Sequence, residues 1–330
     1  IASIFAAMVG ITSVATATLG MVARPSMLKR NYDDKLTVGV IMAGGTLGIL
    51  IPPSIVMIVY AAESGVSAGA LFMAGIVPGI LAAILFIIYC LVLCFIRPKK
   101  GPNIEKAERF TWKEKFLSLK SVFLPLLIIF LVLGSIYLGV ATPTEAGAVG
   151  SVGSLIAAGF RKKLTYENIK KIFTMTVRLN GMVFWILIGA VAYARIVSVT
   201  GVGQHFASMI TEADVNRWLV LIMMIILFLI AGMFIDTVAA LLITAPLFIP
   251  ALNAMGFDLI WFGVIFVICC CIGSLTPPFG ISIFVMRGVA PDLSIQKIYA
   301  AVWPFVFLLA ITMVLVMVFP EIAIWLPNLE

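Results

Sequence analysis

The sequence has few charged residues, a single histidine and few cysteines. Charged side chains make up 11% of its 330 residues, too few for a soluble domain of ordinary composition. His205 is the only histidine, so no histidine cluster exists to hold a metal ion. The cysteines lie in apolar segments and are interpreted as small buried residues, neither disulfides nor metal ligands. They are Cys90, Cys94, Cys269, Cys270 and Cys271.

The sequence also lacks the ten-residue segments of alternating polar and apolar residues that would build a transmembrane β-barrel. Hydrophobic residues make up 63% of the chain instead, in long apolar runs separated by short polar loops. This pattern predicts an all-α polytopic membrane protein. There is no initiator methionine, and Ile1 begins inside an apolar run, so we expect an N-terminal part to precede it.

One interruption of the apolar pattern occurs twice. The run GILIPP at 48–53 and the run GSLTPP at 273–278 each place glycine and a proline pair inside a segment of membrane length. The same offset of 225 residues relates further pairs, and one residue of slip relates Pro78 to Pro304. The pairs are Thr12 and Thr237, Pro25 and Pro250, Tyr32 and Phe257, and Asp33 and Asp258. This is an internal duplication in which a broken helix recurs, a pattern typical of secondary transporters.

Segment lengths predict two re-entrant hairpins beside the two broken helices. Residues 1–10 and 12–27 are each too short to cross a bilayer, because a span needs about 20 residues. We predict a first hairpin with Gly10 at its tip, and a second from 218–233 and 236–252. The remaining predictions are broken helices at 37–61 and 259–286, spans at 71–96, 121–141, 143–160, 179–200 and 298–319, a basic amphipathic stretch at 161–178 and an interfacial connector at 201–215.

The distribution of charge predicts that the repeats are inverted. All 22 Lys and Arg residues except Arg195 and Arg217 fall on one side of this topology, which the positive-inside rule makes cytoplasmic. The other side carries acidic residues: Glu63, Glu145, Glu212, Asp214 and Asp258. The net charge of +7 therefore indicates orientation, and the basic loop 97–120 is interpreted as facing lipid headgroups, not nucleic acid. The C-terminus is predicted to be periplasmic.

Three parts follow from this topology. Residues 1–96 are predicted to form the first repeat, with a hairpin, a broken helix and a span. Residues 97–178 are predicted to hold the basic cytoplasmic loops and scaffold spans. Residues 179–330 are predicted to form the second repeat, with a span, the connector, the second hairpin, a broken helix and the final span.

The broken helices predict two cation sites. Irregular backbone at membrane depth leaves carbonyl groups unpaired, which is costly unless a cavity or an ion uses them. Hairpin-tip hydroxyls would complete a sodium shell, while the N-termini of half-helices suit an anionic group. Sodium site 1 is predicted at Gly10, Thr12, Ser13, Gly48, Ile51 and Pro53, and sodium site 2 at Asp236, Thr237, Gly273, Ser274 and Thr276. The alternative is that the Gly and Pro residues are kinks for packing.

Arg195 is the candidate substrate ligand because it lies inside the apolar run WILIGAVAYARIVSVTG. A guanidinium group can hold a carboxylate through two hydrogen bonds, and the alternative is a side chain that reaches the nearby interface. The predicted substrate-binding set is Arg195, Ser13, Thr16 and Ser54. The Asp236 carboxylate could bind sodium, cap a helix, or do both, and Glu145 is interpreted as a helix cap.

Several motifs together resemble the large membrane subunit of tripartite ATP-independent periplasmic (TRAP) transporters. They are TPTEAGA at 142–148, IPPS at 51–54, FMAGIVPG at 72–79 and TPP at 276–278. The resemblance covers the whole chain from the first hairpin onward. It implies sodium-driven import of organic acids, sialic acids and C4-dicarboxylates among them, through the bacterial inner membrane by an elevator movement. It also implies two partners, a small membrane subunit and a periplasmic substrate-binding subunit, and no cofactor besides sodium ions.

The sequence leaves two other function classes to compare with a transporter of this family. The first is an inverted-repeat carboxylate or ion exchanger that works without a soluble binding protein. The second is an intramembrane enzyme, which we do not expect because no Ser/Lys, Asp/Asp or HExxH constellation is present. If a binding protein docks, we expect it to present basic residues to the acidic outer face.

Overall fold

The computed structural model describes residues 2–101, 111–212 and 216–329. These residues are largely helical and contain no strand, which confirms the all-α prediction. The helices are α1 (Ala2–Val9), α2 (Thr12–Leu28), α3 (Asp34–Thr46), α4 (Ile55–Ser64), α5 (Ala68–Ile96), α6 (Trp112–Tyr137), α7 (Pro143–Phe160), α8 (Tyr166–Thr200), α9 (Val202–Glu212), α10 (Arg217–Phe234), α11 (Thr237–Ala254), α12 (Leu259–Leu275), α13 (Ile281–Val289), α14 (Ile295–Val318) and α15 (Glu321–Ile324).

The chain divides into two compact units. The first contains Ile1–Glu105 and Gly201–Glu330, and the second contains Lys106–Thr200. Inside the second unit α6 packs against α7, where Gly150 and Gly153 leave room for apolar side chains of α6. The three parts predicted from the sequence were drawn from the duplicated segments, whereas these units are defined by compactness. The three-part division therefore stays a prediction.

Five helices in the described part of the chain are long and apolar enough to cross a membrane: α5, α8, α10, α11 and α14. Their outward faces carry many exposed large apolar side chains, Phe95 and Trp185 among them, as expected for helices surrounded by lipid. Helix α7, predicted as a span, is not one of the five, because its Gly and Ser residues and Glu145 dilute its hydropathy. Helices α10 and α11, which form the second predicted hairpin, are each long enough to span a membrane. That this hairpin is re-entrant, with both ends on the same side of the membrane, stays a prediction.

The duplicated halves fold alike. A 3₁₀ turn at Leu47–Ile49 and an irregular stretch separate α3 from α4, and residues 276–280 separate α12 from α13. Both interruptions contain a cis proline pair, Pro52–Pro53 and Pro277–Pro278. The two predicted broken helices are therefore present, and α1–α5 correspond in order to α10–α14.

One contact marks the axis that relates the two repeats. The Cys271 thiol donates a hydrogen bond to the Thr46 carbonyl oxygen at 3.3 Å, and these residues are 225 positions apart. They are therefore counterparts in the duplication, and a residue can meet its own counterpart only near the symmetry axis. Helix α12 is buried without interruption from Trp261 to Leu275, so the axis runs through the core of the first unit.

Two segments differ in detail from their predictions. The basic stretch 161–178 and the span 179–200 form mostly one helix, α8, which is 35 residues long because no proline or turn sequence interrupts it. The predicted connector 201–215 contains the helix α9, which lies against α11 where Gly203 meets Pro246. Residues 102–110 of the basic loop, Asp214 and the Glu212 side chain lie outside the described part of the structure.

Candidate functional site

The tip of the first hairpin lies against the first helix break. Gly10 joins α1 to α2 with φ of +66°, a left-handed conformation that favours glycine. A Cβ atom added to Gly10 would lie 3.2 Å from the Pro53 carbonyl oxygen, and one added to Gly48 would overlap the Ala6 backbone. The structure thus brings together Gly10, Gly48 and Pro53 of the predicted sodium site 1. Ile51 follows the same 3₁₀ turn and donates its backbone N–H to Leu47.

Hydroxyl groups at this tip differ in their hydrogen bonding. The Thr12 and Thr16 hydroxyls are buried and have no partner, while Ser13 is half-buried. Ser54 is the N-cap of α4, and its side-chain oxygen accepts the Met57 N–H at 3.4 Å. Of the predicted substrate hydroxyls, Ser54 therefore has a capping role, whereas Thr16 is unpaired.

The second hairpin meets the second break in the same way. A Cβ atom on Gly273 would lie 2.9 Å from the Gly232 carbonyl carbon, so the two backbones touch. The rings of Phe234 and Phe279 lie 5.3 Å apart across this junction. The hairpin tip and the irregular backbone of the break are thus adjacent in both repeats.

The polar groups of the predicted sodium site 2 are partly engaged by helices. Asp236 is the N-cap of α11, and its carboxylate accepts the Val238 N–H at 3.0 Å, which supports the capping role without testing the sodium role. Thr237 begins α11 and is half-buried. The Ser274 hydroxyl donates to the Cys271 carbonyl at 2.9 Å and the Thr276 hydroxyl to the Ile272 carbonyl at 2.6 Å.

Arg195 lies in the second compact unit, whereas every other predicted site residue lies in the first. It belongs to α8, and its side chain is exposed. Its role as a carboxylate ligand stays a prediction. The expected cap at Glu145 is present, since Glu145 and Thr142 form a reciprocal capping box at the start of α7.

A buried arginine was missed by sequence reasoning, which counted it only among the cytoplasmic charges. Arg24 of α2 is 8% exposed and holds two carboxylates, each through two hydrogen bonds. Its guanidinium nitrogens donate to Asp34 at 3.0 and 3.1 Å and to Asp292 at 3.0 and 2.6 Å. The Arg24 hydrogen bonds hold the pKa of Asp292 below its usual range. This cluster ties α2 to the start of α3 and to the loop after α13.

A third unpaired buried hydroxyl, that of Ser282 in α13, was also missed. Ser282 is fully buried and lies two residues beyond Gly280, where the second break ends. In sequence it stands in the ordinary apolar run ISIFV and carries no motif. Only the packing of α13 against α2 and α3 makes it distinctive.

Comparison with known proteins gives a consistent result across the chain. The family model described as "Tripartite ATP-independent periplasmic transporter, DctM component" matches residues 1–322. The C4-dicarboxylate TRAP transporter large permease protein of Pseudomonas aeruginosa is 34% identical over 326 residues, covering 98% of this chain and 75% of that protein. The sialic acid TRAP transporter large permease protein of Vibrio cholerae is 33% identical over 328 residues, covering 99% and 75%.

Two further relatives widen the comparison. The ectoine TRAP transporter large permease protein of Halomonas elongata is 31% identical over 330 residues, covering 99% of this chain and 75% of that protein. Among solved structures, the YdaH transporter of Alcanivorax borkumensis, described as having an unusual topology, superposes with a TM-score of 0.63. That match covers 98% of this chain and 78% of the YdaH chain at 17% identity, so it supports the fold alone.

Proposed function

Because the chain belongs to the DctM component family of tripartite ATP-independent periplasmic transporters, we propose that it imports an organic acid by sodium-coupled secondary transport. Membership makes it a multi-pass inner-membrane transporter and not an enzyme. We further propose that the acid is delivered by a periplasmic binding protein and that a small membrane subunit completes the transporter. The C-terminus would then be periplasmic.

The substrate class is proposed from the names of the relatives. They are described as transporting C4-dicarboxylates, sialic acid and ectoine, all of which carry a carboxylate group. We propose an organic acid of the sialic acid or C4-dicarboxylate type. Arg195 is the proposed partner of its carboxylate, because the planar guanidinium matches two carboxylate oxygens.

The observation that carries sodium coupling is the repeated contact between a hairpin tip and a helix break. Gly10 lies against the Pro53 carbonyl in one repeat, and Gly232 touches Gly273 in the other. Backbone carbonyls released from helical hydrogen bonding are suited to replace the hydration shell of a cation. This arrangement supports one sodium site in each repeat, formed by the residues predicted from the sequence.

Reconstitution tests the proposal. The chain, its small membrane subunit and a candidate binding protein would be placed in proteoliposomes, and uptake of labelled succinate and N-acetylneuraminate would be measured. We expect uptake with an inward sodium gradient and none when choline replaces sodium. Full uptake without any binding protein would instead favour the carboxylate exchanger, and uptake indifferent to sodium would contradict the coupling.

Substitution of Arg195 tests the substrate contact in the same assay. Arg195→Lys keeps the charge but loses the paired hydrogen bonds, so uptake should already be impaired, and Arg195→Ala should abolish it. Normal uptake by the Ala variant would mean that the side chain only reaches the membrane interface.

A further inference from the structure

The guanidinium group of Arg24 holds two carboxylates that differ in exposure. The Arg24 side chain is 10% exposed, that of Asp34 is 33% exposed and that of Asp292 is 62% exposed. A carboxylate that leaves an ion pair must replace the lost hydrogen bonds with bonds to water, which is easier for a more exposed group. Asp292 can therefore separate from Arg24 at a lower cost in free energy than Asp34 can.

The two carboxylates also come from different parts of the fold. Asp34 begins α3, which packs along α2, so it stays beside Arg24 as long as these two helices stay together. Asp292 lies in the short segment between α13 and α14. If Asp292 leaves, Arg24 keeps Asp34 as its partner, so no buried charge is left alone. Arg24 therefore has a fixed partner and a releasable one.

The ion pair is the polar link between α2 and α13. In the part of the chain that the structure describes, α2 is hydrogen-bonded to the segment 281–293 through Arg24 and Asp292 alone. Beside this ion pair the helices meet through apolar atoms, since a Cβ atom on Gly20 would lie 3.0 Å from the Val289 side chain. An apolar contact can open without breaking a hydrogen bond. The ion pair therefore determines how firmly α13 is held to α2 at this end.

Separation of the two helices would hydrate two buried hydroxyl groups. A Cβ atom on Gly20 would lie 3.5 Å from the Met286 side chain. Thr16 is one helical turn before Gly20 and Ser282 is one turn before Met286, so both lie on the sides of α2 and α13 that meet. Both residues are 0% exposed, and their hydroxyls have no partner within the protein. Because an unpaired buried hydroxyl costs free energy, its hydration offsets part of the apolar contact that is lost on opening.

The second repeat forms the corresponding corner without charge. The counterparts are found at the offset of 225 residues for Arg24 and Asp34, and by matching the starts of α13 and α4 for Asp292. They are Ile249 for Arg24, Leu259 for Asp34 and Val66 for Asp292. All three counterparts are apolar, so the duplicated fold does not require an ion cluster here. Its presence in one repeat indicates a role beyond packing.

We propose that the contact between Arg24 and Asp292 is a releasable latch between the first hairpin and α13, and that Asp34 keeps Arg24 paired while the latch is open. Opening separates α2 from α13 at the end of α2 that basic residues follow, which is the side predicted to be cytoplasmic. It admits water to Thr16, one of the predicted substrate-binding residues. That this opening releases the transported acid on that side rests on the proposed function.

Hydrogen–deuterium exchange of the full-length chain with its small membrane subunit tests the latch without transport. Asp292→Asn removes the charge of the releasable partner, so amide exchange in α2 and in 281–293 should become about fivefold faster or more. Exchange in α12, and in α4 as the counterpart of α13, should not change. Asp292→Glu keeps the carboxylate, and its exchange should stay within about twofold of the wild type.

Two neighbouring carboxylates provide matched controls. Asp33→Asn removes a charge directly beside the cluster, from a side chain that is 30% exposed, and should leave exchange in 281–293 unchanged. Asp34→Asn removes the fixed partner of Arg24. It should speed exchange in α3 as well as in α2 and lower the unfolding midpoint more than Asp292→Asn does, because the buried guanidinium loses its more buried carboxylate.

A reversible cross-link tests whether α2 and α13 must separate during transport. The contact between Gly20 and Val289 is close enough for a disulfide, so the double variant Gly20→Cys, Val289→Cys can be oxidised to join the two helices. The oxidised variant should lose uptake of labelled substrate in proteoliposomes and regain it on reduction. The wild type, taken through the same oxidation and reduction, controls for the native cysteines and should keep its uptake throughout.

Three results would overturn the latch. They are wild-type exchange in 281–293 of Asp292→Asn, an equal acceleration in Asp33→Asn, and full uptake by the double variant while it is cross-linked. A wild type that shows no uptake would contradict the proposed function instead. The exchange measurement would then decide on the latch by itself, because it needs neither substrate nor sodium.

Discussion

The duplication produces two helix junctions with the same arrangement of helices. They differ in whether the first backbone N–H groups of those helices have side-chain partners. In one, α2 packs on α13, and in the other, their counterparts α11 and α4 pack together. The α11/α4 junction is capped from within, because Asp236 and Ser54 accept backbone N–H groups of their own helices. At the same points the α2/α13 junction has Ile11 and Gly280, which accept nothing.

This difference separates the features that both repeats share from those found at one junction only. Both junctions keep a hairpin arm and the half-helix that follows a break, so these features belong to the framework. Side-chain caps begin both helices of the α11/α4 junction, whereas the helices of the α2/α13 junction begin without them and carry the buried, unpartnered hydroxyls of Thr12, Thr16 and Ser282. Functional sites often retain such locally unfavourable features.

Installing a side-chain cap at the start of α2, in the α2/α13 junction, should have the largest effect on transport. Ile11→Asp copies its counterpart Asp236 and places a carboxylate beside Ser13 and Thr16, two of the hydroxyl residues proposed to contact the substrate. Uptake should fall about a hundredfold or more, since like charges in contact cost several kcal/mol. Labelled-substrate uptake measures this, with Ile11→Val as the control.

The same variant should fold at least as well as the wild type, because an N-cap carboxylate stabilises a helix by about 1 kcal/mol. A variant that transports normally despite being folded would remove the functional distinction between the two junctions.

Removing the Arg24 charge should loosen the α2/α13 junction at its other end. Arg24→Met keeps much of the side-chain volume but leaves Asp34 and Asp292 without their partner. We expect a loss of about 2 kcal/mol in unfolding free energy, below the usual value for buried ion pairs because the Asp292 side chain is 62% exposed. Chemical unfolding in detergent measures this loss. The unfolding free energy of Arg24→Lys should lie between those of the wild type and Arg24→Met.

Changing Asp236 should separate helix capping from sodium binding at the α11/α4 junction. Asp236→Asn retains a capping oxygen but loses the charge, so stability should stay within about 0.5 kcal/mol. The sodium concentration for half-maximal uptake should rise, as it should for Thr237→Ala. Asp236→Ala should in addition cost about 1 kcal/mol of stability. Unchanged sodium dependence in all three variants would mean that the carboxylate only caps α11.

The smallest effect concerns pH. The hydrogen bonds from Arg24 hold the pKa of Asp292 in the folded chain below the ordinary value of an aspartic acid. Its contribution to stability is therefore fully present above the unfolded pKa and is lost as pH falls through the folded pKa. The difference in unfolding midpoint between wild type and Asp292→Asn should be present at neutral pH and shrink below about pH 4. A difference that grows on acidification would contradict this sign.

The framework could be predicted because its signals are local. Glycine and proline pairs interrupt helices wherever they stand, so the breaks at 48–53 and 273–278 and the hairpin turn at Gly10 follow from the sequence. The capping role of Ser54 was predictable by the same kind of rule, because serine directly before a helix is a common N-cap.

The α2/α13 junction could not be predicted in full because its features are properties of packing. Nothing local distinguishes Ser282 from other serines in apolar helices, and its unpaired state depends on α2 and α3. The partner of Arg24 at Asp292 is 268 residues away, so no spacing pattern links them. The continuity of α8 was missed because its basic and apolar halves differ in composition, although nothing between them ends a helix.

The hydrogen bond from Cys271 to Thr46 has a consequence for how such a chain can evolve. In a symmetric dimer made from one unfused repeat, this point would hold two copies of the same residue in contact, and every substitution would occur twice at once. A fused chain carries Thr46 and Cys271 as independent positions, so one can change while the other compensates. The same independence applies to Ile11 and Asp236. Gene fusion thus permits one junction to keep its helix caps while the other lacks them.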